Sequence, residues 1–344
     1  MRTLALAATV FVLAAGAAHA QVVSESAARS QLASLIDDVP AASTDFDDLD
    51  STGLGVDAIK VIPSDTPGTY LGVYHVENPD GEYDVRVATS TNLLNWADPT
   101  RLAANASQAT IAALPNGAYL VAYEKTRLLN PNVSHIVLRV YADQQLLLLG
   151  IPAGEYSVPN TLSAEHEGTP SINSVAFGPT SPLLGGLPLA DLGPSSITVG
   201  FHYDVASLGV DREAQGTLTD FDSWSAAPYA PLNDAFGSAR GNVGGRDELS
   251  FLGWPFTVVE AQSVKNDFAS WRVYLYDDTG GSVTPLTPHT PGGSVAFGNP
   301  KVTVLTDPAG QRALVVSLFV FSQGAGVQAS GATEAGSLVY YREL

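Results

Sequence analysis

The sequence contains no cysteine, and this absence removes several classes of chemistry at once. Disulfide bonds, thiol nucleophiles, iron–sulfur clusters and cysteine-ligated zinc are excluded, so the apolar core alone must hold an exported chain together. The 344 residues, 45% of them hydrophobic, supply enough material for such a core. The length allows two domains, but it also suits one large all-β domain.

Basic residues are scarce as well: 16 Lys and Arg stand against 35 Asp and Glu, which gives a formal net charge of −19. Because phosphate binding needs a cationic face, we expect neither nucleic acid nor an anionic membrane surface as a partner. The acidic excess indicates solubility outside the cell, or salt tolerance, and does not by itself select a fold.

Long apolar runs are missing too, since nothing in the chain reaches the roughly 18 residues that a membrane span needs. The N-terminal run Leu4–Ala15 follows Arg2 and precedes Ala18-His19-Ala20, which is the pattern of a secretory signal with an A-x-A cleavage site. We therefore expect residues 1–20 to be a signal peptide and the mature chain to begin at Gln21. The protein is then secreted, either to the periplasm or out of the cell.

Helical periodicity is confined to one segment near the N-terminus. The spacing of its apolar residues predicts an amphipathic helix over Ser24–Asp38, packed against the outside of the main domain. The acidic stretch that follows predicts a solvated linker. We assign residues 21–52 to this helix and linker, and residues 53–344 to the main domain.

After Thr52, short stretches of alternating or continuous apolar residues are separated by Gly, Pro, Asn and Asp. Many short strands with regular turns predict an all-β sandwich, barrel or propeller. The predicted strands are Tyr70–His75, Asp84–Ala88, Tyr119–Tyr123, Ile136–Tyr141, Ile197–Tyr203, Phe256–Glu260, Trp271–Tyr276, Ala313–Phe321 and Leu338–Tyr341.

Two internal repeats favour a propeller. Thr91–Trp96 and Thr219–Trp224 share the pattern Thr, Asn or Asp, large apolar residue, two residues, Trp, and they start 128 residues apart, which suits two blades. A second repeat marks the start of five strands, separated by 51, 61, 78 and 52 residues; these starts are Asp57, Gln108, Thr169, Asp247 and Asn299. We therefore predict a five-bladed β-propeller whose five inner strands face one channel.

Acids are concentrated at the third of these starts, in Glu165-His166-Glu167-Gly168-Thr169-Pro170. Carboxylates at the beginning of a strand cost free energy to desolvate and add nothing to packing. They are tolerated where a strand opens onto a solvent-filled cavity, and cavities are where sites form. The stretch therefore predicts a functional site at the mouth of the channel.

The Trp turn, followed by a loop into an Asx-Pro-x-Ile or Glu-Gly-Thr-Pro-x-Ile strand, resembles the five-bladed β-propeller glycoside hydrolases. These are the arabinanase, xylosidase and arabinofuranosidase group, with the related fructan-cleaving enzymes. The resemblance covers residues 53–344. It implies three acids at the channel mouth: an Asp general base, a second Asp that tunes and orients, and a Glu general acid.

By this resemblance Asp57 is the candidate base and Glu167, ahead of Gly-Thr-Pro, the candidate acid. The second blade opens with Gln108 in place of an acid, so the role of the second Asp falls to Asp247 or Asp211, or is absent. Inverting hydrolysis needs two carboxyl groups about 6.5–9.5 Å apart, and acids from different blades can meet that distance. The structural alternative is that Glu167 accepts backbone N–H groups and Asp57 caps a turn.

Other polar and aromatic residues near the strand starts are candidates for substrate contact: His166, Gln108, Arg246, Asn299, Glu260 and Trp254. A purely structural Arg246–Asp247 pair is an equal alternative. The histidines form no His-x-x-x-His or HExxH pair, so their spacing predicts no metal centre. We expect no cofactor, although a structural calcium ion in the channel is compatible with converging acids.

Two functions remain open from the sequence. The first is a secreted glycosidase that cleaves glycosidic bonds in polysaccharides or oligosaccharides. The second is a non-catalytic propeller that binds carbohydrate or a protein, which the missing acid at Gln108 favours. The glycosidase takes carbohydrate as its partner, and we expect a monomer.

Overall fold

A computed structural model of the chain describes residues 23–127, 130–177, 194–237, 241–265, 267–321 and 334–344. The predicted signal peptide, residues 1–20, lies outside the described residues. Twenty strands form five antiparallel sheets of four strands each. The chain is therefore an all-β, five-bladed β-propeller, as predicted.

The first three blades follow one another along the chain. Blade 1 contains β2 (Asp57–Pro63), β3 (Tyr70–Glu77), β4 (Tyr83–Ser90) and β5 (Ala97–Ala104). Blade 2 contains β6 (Ala106–Ala113), β7 (Tyr119–Arg127), β8 (Asn130–Tyr141) and β9 (Gly154–Ser157). Blade 3 contains β10 (Glu167–Ala176), β11 (Ser196–Val205), β12 (Val210–Thr219) and β13 (Ser223–Pro228).

The last two blades include the closure of the ring. Blade 4 contains β14 (Val243–Phe251), β15 (Trp254–Gln262), β16 (Trp271–Asp277) and β17 (Val283–Pro285). Blade 5 contains β18 (Phe297–Thr306), β19 (Arg312–Val320) and β20 (Gly336–Glu343), and its outer strand is β1 (Ser43–Phe46) from the N-terminus. Part of the segment expected to be a linker is thus a strand that joins the two ends of the propeller.

In the part of the chain that the structure describes, the helices are few. Helix α1 (Glu25–Asp37) is capped by Ser24, whose side chain accepts the N–H of Ala27. Helix α2 (Gln144–Leu148) connects β8 to β9 within blade 2, and α3 (Ala230–Phe236) connects blade 3 to blade 4. The predicted helix is confirmed, and its apolar face packs on blades 4 and 5. Within the described ranges no helix has the length and apolar character needed to cross a membrane.

Apolar cores lie between neighbouring blades, so both faces of most sheets are covered. This explains why many strands read as continuous apolar runs and why each predicted strand falls on an observed one. The two Trp turns join the third and fourth strands of blades 1 and 3. Trp96 is buried, and Trp224 packs against the core between blades 2 and 3. The tryptophans of the repeat therefore contribute to packing between blades.

The innermost strands β2, β6, β10, β14 and β18 contact one another in a closed ring around the channel. All five predicted strand starts lie on these strands. Near its beginning each inner strand carries a β-bulge, at which its pairing with the second strand shifts register. In four blades the bulged residue has a positive φ of about 50°; these residues are Ala58, Gln108, Thr169 and Asn299.

This register corrects two of the aligned positions. Ala58, and not Asp57, occupies the bulged position of blade 1, so Asp57 lies one residue before it. In blade 4 the bulge lies between Val243 and Arg246, so Asp247 lies deeper in its strand than the other four predicted starts. Gly244 and Gly245 lie at this bulge. The sequence repeat took the acid Asp247 as the strand start, and it therefore missed the equivalent position at the glycines.

Candidate functional site

The channel mouth is the end at which the inner strands begin, and polar side chains line it on blades 1 to 3. Asp57 pairs in register with His75, Ser107 with Glu124, and Gly168 with His202. Three successive blades therefore place an ionisable side chain at the same point of their second strand. We call Asp57, His75, Glu124, His166 and His202 the polar half of the mouth.

Two of these second-strand side chains, together with Glu260 in blade 4, accept the N–H of the bulged residue in the next blade. His75 Nδ1 accepts from Gln108 at 3.3 Å, Glu124 Oε2 from Thr169 at 3.1 Å, and Glu260 Oε2 from Asn299 at 2.5 Å. A buried N–H without a partner is costly, so these polar groups also stabilise the fold. Gln108 and Asn299, both candidates for substrate contact, lie at the mouth and donate these N–H groups.

Asp57 and His75 form the blade 1 part of the polar half. Asp57 is partly exposed, and its Oδ1 accepts a hydrogen bond from Ser337 Oγ at 2.6 Å. His75 is buried and packs edge-on against Tyr83, with ring centroids 5.5 Å apart. Burial lowers the pKa of His75, whereas the nearby Asp57 and Glu124 carboxylates raise it.

His166 lies with two residues that the sequence did not indicate. Its Nε2 is 3.0 Å from His202 Nε2, and its Nδ1 is 2.5 Å from Ser134 Oγ and 3.8 Å from Glu124 Oε1. Ligand atoms of Glu124, His166 and His202 lie within 4.8 Å of one another. Burial lowers the pKa of His202, which favours the neutral imidazole.

Aromatic rings line the mouth on blades 4 and 5. Trp271 and Phe321 are stacked with ring planes 11° apart, and Phe268, which is 49% exposed, lies 5.6 Å from Phe321. The inner strands leave room for them, since a Cβ at Gly244 would lie 3.1 Å from Trp271 and one at Gly298 would lie 3.0 Å from Phe321. We call Trp271, Phe321 and Phe268 the aromatic ledge.

Glu260 lies beside this ledge. Its Oε1 accepts the N–H of Gly245 at 2.7 Å, in addition to the Asn299 bond of Oε2. Burial raises its pKa to about 7, against the effect of these two hydrogen bonds. Glu260 is therefore a carboxyl group at the mouth that can exchange a proton near neutral pH.

Glu167, the candidate acid, faces a loop. Its Oε1 accepts three backbone N–H groups, from Thr161 at 2.7 Å, Leu162 at 2.5 Å and Ser163 at 3.0 Å. The residue is 1% exposed. These contacts are those of a carboxylate that holds the loop before blade 3, which was the structural alternative for this residue.

Asp247 and Arg246 lie inside the channel wall. Asp247 Oδ2 is 2.5 Å from Lys60 Nζ and accepts the N–H of Val302 at 2.8 Å. Arg246 is 1% exposed and its Nη1 lies 3.1 Å from Glu213 Oε2, without the alignment of a hydrogen bond. Both residues are occupied by internal partners, and the expected Arg246–Asp247 pair is not formed among these contacts.

Trp254 lies at the opposite end of its strand from the mouth. Its Nε1 donates to the carbonyl of Val23 at 3.0 Å, next to helix α1. Six residues of extended chain, about 20 Å, separate it from Glu260. Trp254 therefore anchors the N-terminal segment and is not a mouth residue.

The residues that were missed share a weak sequence signal. His75, Glu124 and His202 each follow an aromatic residue near the end of an apolar run, in Tyr-His, Tyr-Glu and Phe-His pairs. Only the equivalent Val259-Glu260 pair was selected from the sequence. A polar residue near the end of a blade's second strand would have indicated the mouth.

The described cavities lie outside the polar half. A cavity of about 350 Å³ is lined by Arg272 and residues between Leu286 and Phe297. A second, of about 230 Å³, is lined by residues 162–165 and 203–206, the segments next to His166 and His202. No residue of the polar half lines the larger cavity, so its volume alone does not mark the functional site.

Neither a protein-family model nor a curated protein sequence matches the chain. Solved structures do. A glycoside hydrolase aligns with a TM-score of 0.57 and 10% identity over 94% of this chain and 96% of its own. An exo-1,5-α-L-arabinanase from a bovine ruminal metagenomic library aligns with a TM-score of 0.52 and 12% identity, over 86% and 94% of the two chains.

An N-acetylgalactosamine deacetylase from F. plautii, in complex with blood group B trisaccharide, aligns with a TM-score of 0.52 and 12% identity over 90% and 94% of the two chains. At this identity the likeness concerns the fold, and a fold can carry several activities. The chain has the fold of the five-bladed β-propeller glycoside hydrolases.

Proposed function

We propose that the protein is a secreted hydrolase of glycosidic bonds in polysaccharides or oligosaccharides, with the channel mouth as its site. The observation that carries this proposal is the combination of the polar half and the aromatic ledge around one opening. Carboxylates and imidazoles supply proton transfer, and the 49% exposed ring of Phe268 with the partly exposed Phe321 supplies an apolar face on which a sugar ring can pack.

In this proposal Asp57 activates water, because it is a partly exposed carboxylate at the mouth. Inversion also needs a protonated carboxyl group for the leaving oxygen. Glu260 meets this requirement with its pKa of about 7. Both Glu167 and Glu260 accept backbone N–H groups, but Glu167 is 1% exposed and faces the loop before blade 3, whereas Glu260 lies beside the aromatic ledge. We therefore propose the donor role for Glu260 in preference to Glu167.

The test is sugar release from a panel of polysaccharides, with arabinan and fructan first because one similar structure is an arabinanase. Asp57→Asn should abolish the release of reducing ends while the melting temperature stays close to that of the wild type. Glu260→Gln should abolish release per folded molecule, with the folded fraction measured by its melting curve. Glu343→Gln, which changes an exposed acid at the end of β20 remote from the mouth, is the control. Full release by both mouth variants would overturn the proposal.

A non-catalytic carbohydrate-binding propeller is the second candidate. One observation favours it: of the three predicted catalytic acids, Glu167 and Asp247 are held by internal partners. Retention on a glycan array without release of any sugar would support this function. Because one similar structure is a deacetylase, release of acetate from acetylated glycans is measured in the same experiment.

Secretion is the remaining part of the proposal, and it rests on the N-terminal sequence alone. Expression of the full chain with its own N-terminus in a bacterial host tests it. We expect the protein in the periplasm or medium to begin at Gln21. An intact Met1 on protein that remains in the cytoplasm would contradict it.

A further inference from the structure

Glu124 lies on β7 of blade 2, His202 on β11 of blade 3 and His166 in the loop just before β10, and together they bring two imidazoles and a carboxylate to one point. Ligand atoms of the three lie within 4.8 Å of one another. His202 and Glu124 are buried, whereas the side chain of His166 is 34% exposed. We infer that these three residues bind a divalent transition metal ion of the zinc type, at the edge of the channel mouth.

The spacing of the two imidazoles fits ligands of a single ion. Zinc binds histidine nitrogen at about 2.0–2.1 Å, so two nitrogens on a tetrahedral ion lie roughly 3.3 Å apart. His166 Nε2 and His202 Nε2 are 3.0 Å apart. A third oxygen or nitrogen ligand within 4.8 Å completes the usual number of protein ligands at a zinc ion that also takes a small molecule.

The His202 ring has one nitrogen without a partner, and coordination of a metal ion through its other nitrogen, Nε2, would offset that cost. Within the described residues, His202 is 9% exposed, and its buried Nδ1 makes no hydrogen bond. A buried ring nitrogen without a partner costs free energy unless the ring gains something in return. Two imidazoles that face each other through Nε2 gain a single hydrogen bond, whereas both can coordinate one ion.

The surroundings hold the three residues in place. Ser134 Oγ lies 2.5 Å from His166 Nδ1 and can orient that ring, as partners of metal-binding histidines do. Glu124 Oε2 is held by the N–H of Thr169, which leaves Oε1 on the side of His166. Gly168 gives the carboxylate its space, since a Cβ there would lie 2.0 Å from Glu124 Oε2.

Three protein ligands leave one position of a tetrahedral zinc ion open. The partly exposed His166 ring indicates that this position faces solvent, so water or a hydroxyl group of a carbohydrate can occupy it. The spacing rules applied to the sequence could not find this site, because they detect ligand pairs within one helix or loop. Here the histidines are 36 residues apart and belong to different elements.

Zinc titration of the mature chain, stripped with EDTA and followed by calorimetry, tests the inference. We expect one Zn²⁺ per chain, and a raised melting temperature because the metal binds only the folded state. Ser134→Ala should weaken Zn²⁺ binding by about 10–100-fold, and His166→Gln should weaken it further. Visible absorption of the Co²⁺-loaded protein reports nitrogen and oxygen ligands directly.

His135→Gln is the matched control, since His135 is also half-buried on β8 but lies outside the cluster. It should bind Zn²⁺ as the wild type does. The melting temperature without metal shows that each variant is folded. Absence of stoichiometric binding by the wild type, or wild-type affinity in His166→Gln, would overturn the inference. The titration uses no sugar, so its result is independent of whether the protein cleaves glycosidic bonds.

Discussion

The charged groups inside the channel wall differ from those at its mouth. Inside, Lys60 holds Asp247 at 2.5 Å, and Arg246 lies 3.1 Å from Glu213 with both residues buried. At the mouth, Asp57 and His166 keep part of their surface exposed. In the sequence, the internal charges and the mouth charges both appear as acids and bases near strand starts. Only their burial and their ion pairs show which charges stabilise the fold and which can contact a substrate.

The largest effect is expected inside the wall. Arg246→Met leaves the Glu213 carboxylate buried without its cation, and breaking a buried pair in this way costs about 3–5 kcal/mol. Urea denaturation should show this loss. If instead stability is retained and sugar release is lost, Arg246 belongs with the mouth residues and the distinction fails.

Asp57→Asn should lower activity and leave stability nearly unchanged, which is the reverse of the effect expected for Arg246→Met. Removing a general base lowers the rate by about 10²–10⁴-fold. Because Asp57 is partly exposed, the free energy of unfolding should change little. Initial rates on the best glycan, together with urea denaturation, measure both quantities. A large loss of stability would place Asp57 with the internal charges.

Glu167→Gln tests whether Glu167 stabilises the fold, as the internal charges do, or acts in catalysis at the mouth. The variant weakens charge-assisted hydrogen bonds to the loop before blade 3, at a cost of about 1–3 kcal/mol. We expect a lower melting temperature and a nearly unchanged rate per folded molecule. An unchanged melting temperature with no activity would restore the catalytic role that the resemblance implied.

The pH dependence of stability tests Glu260. Because its folded-state pKa is raised to about 7, it binds its proton more tightly in the folded chain than in the unfolded chain. Its stabilising contribution is therefore present below about pH 4.5 and is lost as the pH rises through about 7. Between pH 5 and 7.5 the wild type should lose more unfolding free energy than Glu260→Gln. Parallel curves would contradict the raised pKa.

The smallest effect is expected at the ledge. Phe268→Ala removes an exposed ring that packs on Phe321. Loss of such a contact should weaken saccharide binding by about 0.5–1.5 kcal/mol and leave stability nearly unchanged. Calorimetric titration measures the affinity, and Leu208→Ala, a change at another exposed apolar residue, is the control.

Most of the architecture could be read from the sequence because a blade repeats its local pattern. Apolar runs between turn residues located the strands, and the two Trp turns gave the blade length. The closure by Ser43–Phe46 could not be found this way. Those four residues carry little apolar pattern, and their pairing with β20 depends on the two ends of the chain meeting.

The site was harder to predict because its residues are brought together by the ring. Strand starts led to the mouth, where Asp57 and His166 lie, and Glu260 was selected because it ends an apolar run. The same rule also selected Asp247, since nothing local shows that Lys60 from blade 1 will reach it. The ends of the second strands, where Glu124 and His202 lie, were read as ordinary strand positions.

A crystal structure with a bound saccharide tests the central claim most directly. The claim predicts a sugar ring against Phe268 and Phe321, with its glycosidic oxygen on the side of Asp57 and Glu260. A saccharide bound in the cavity between Arg272 and Phe297, with no sugar at the mouth, would contradict it.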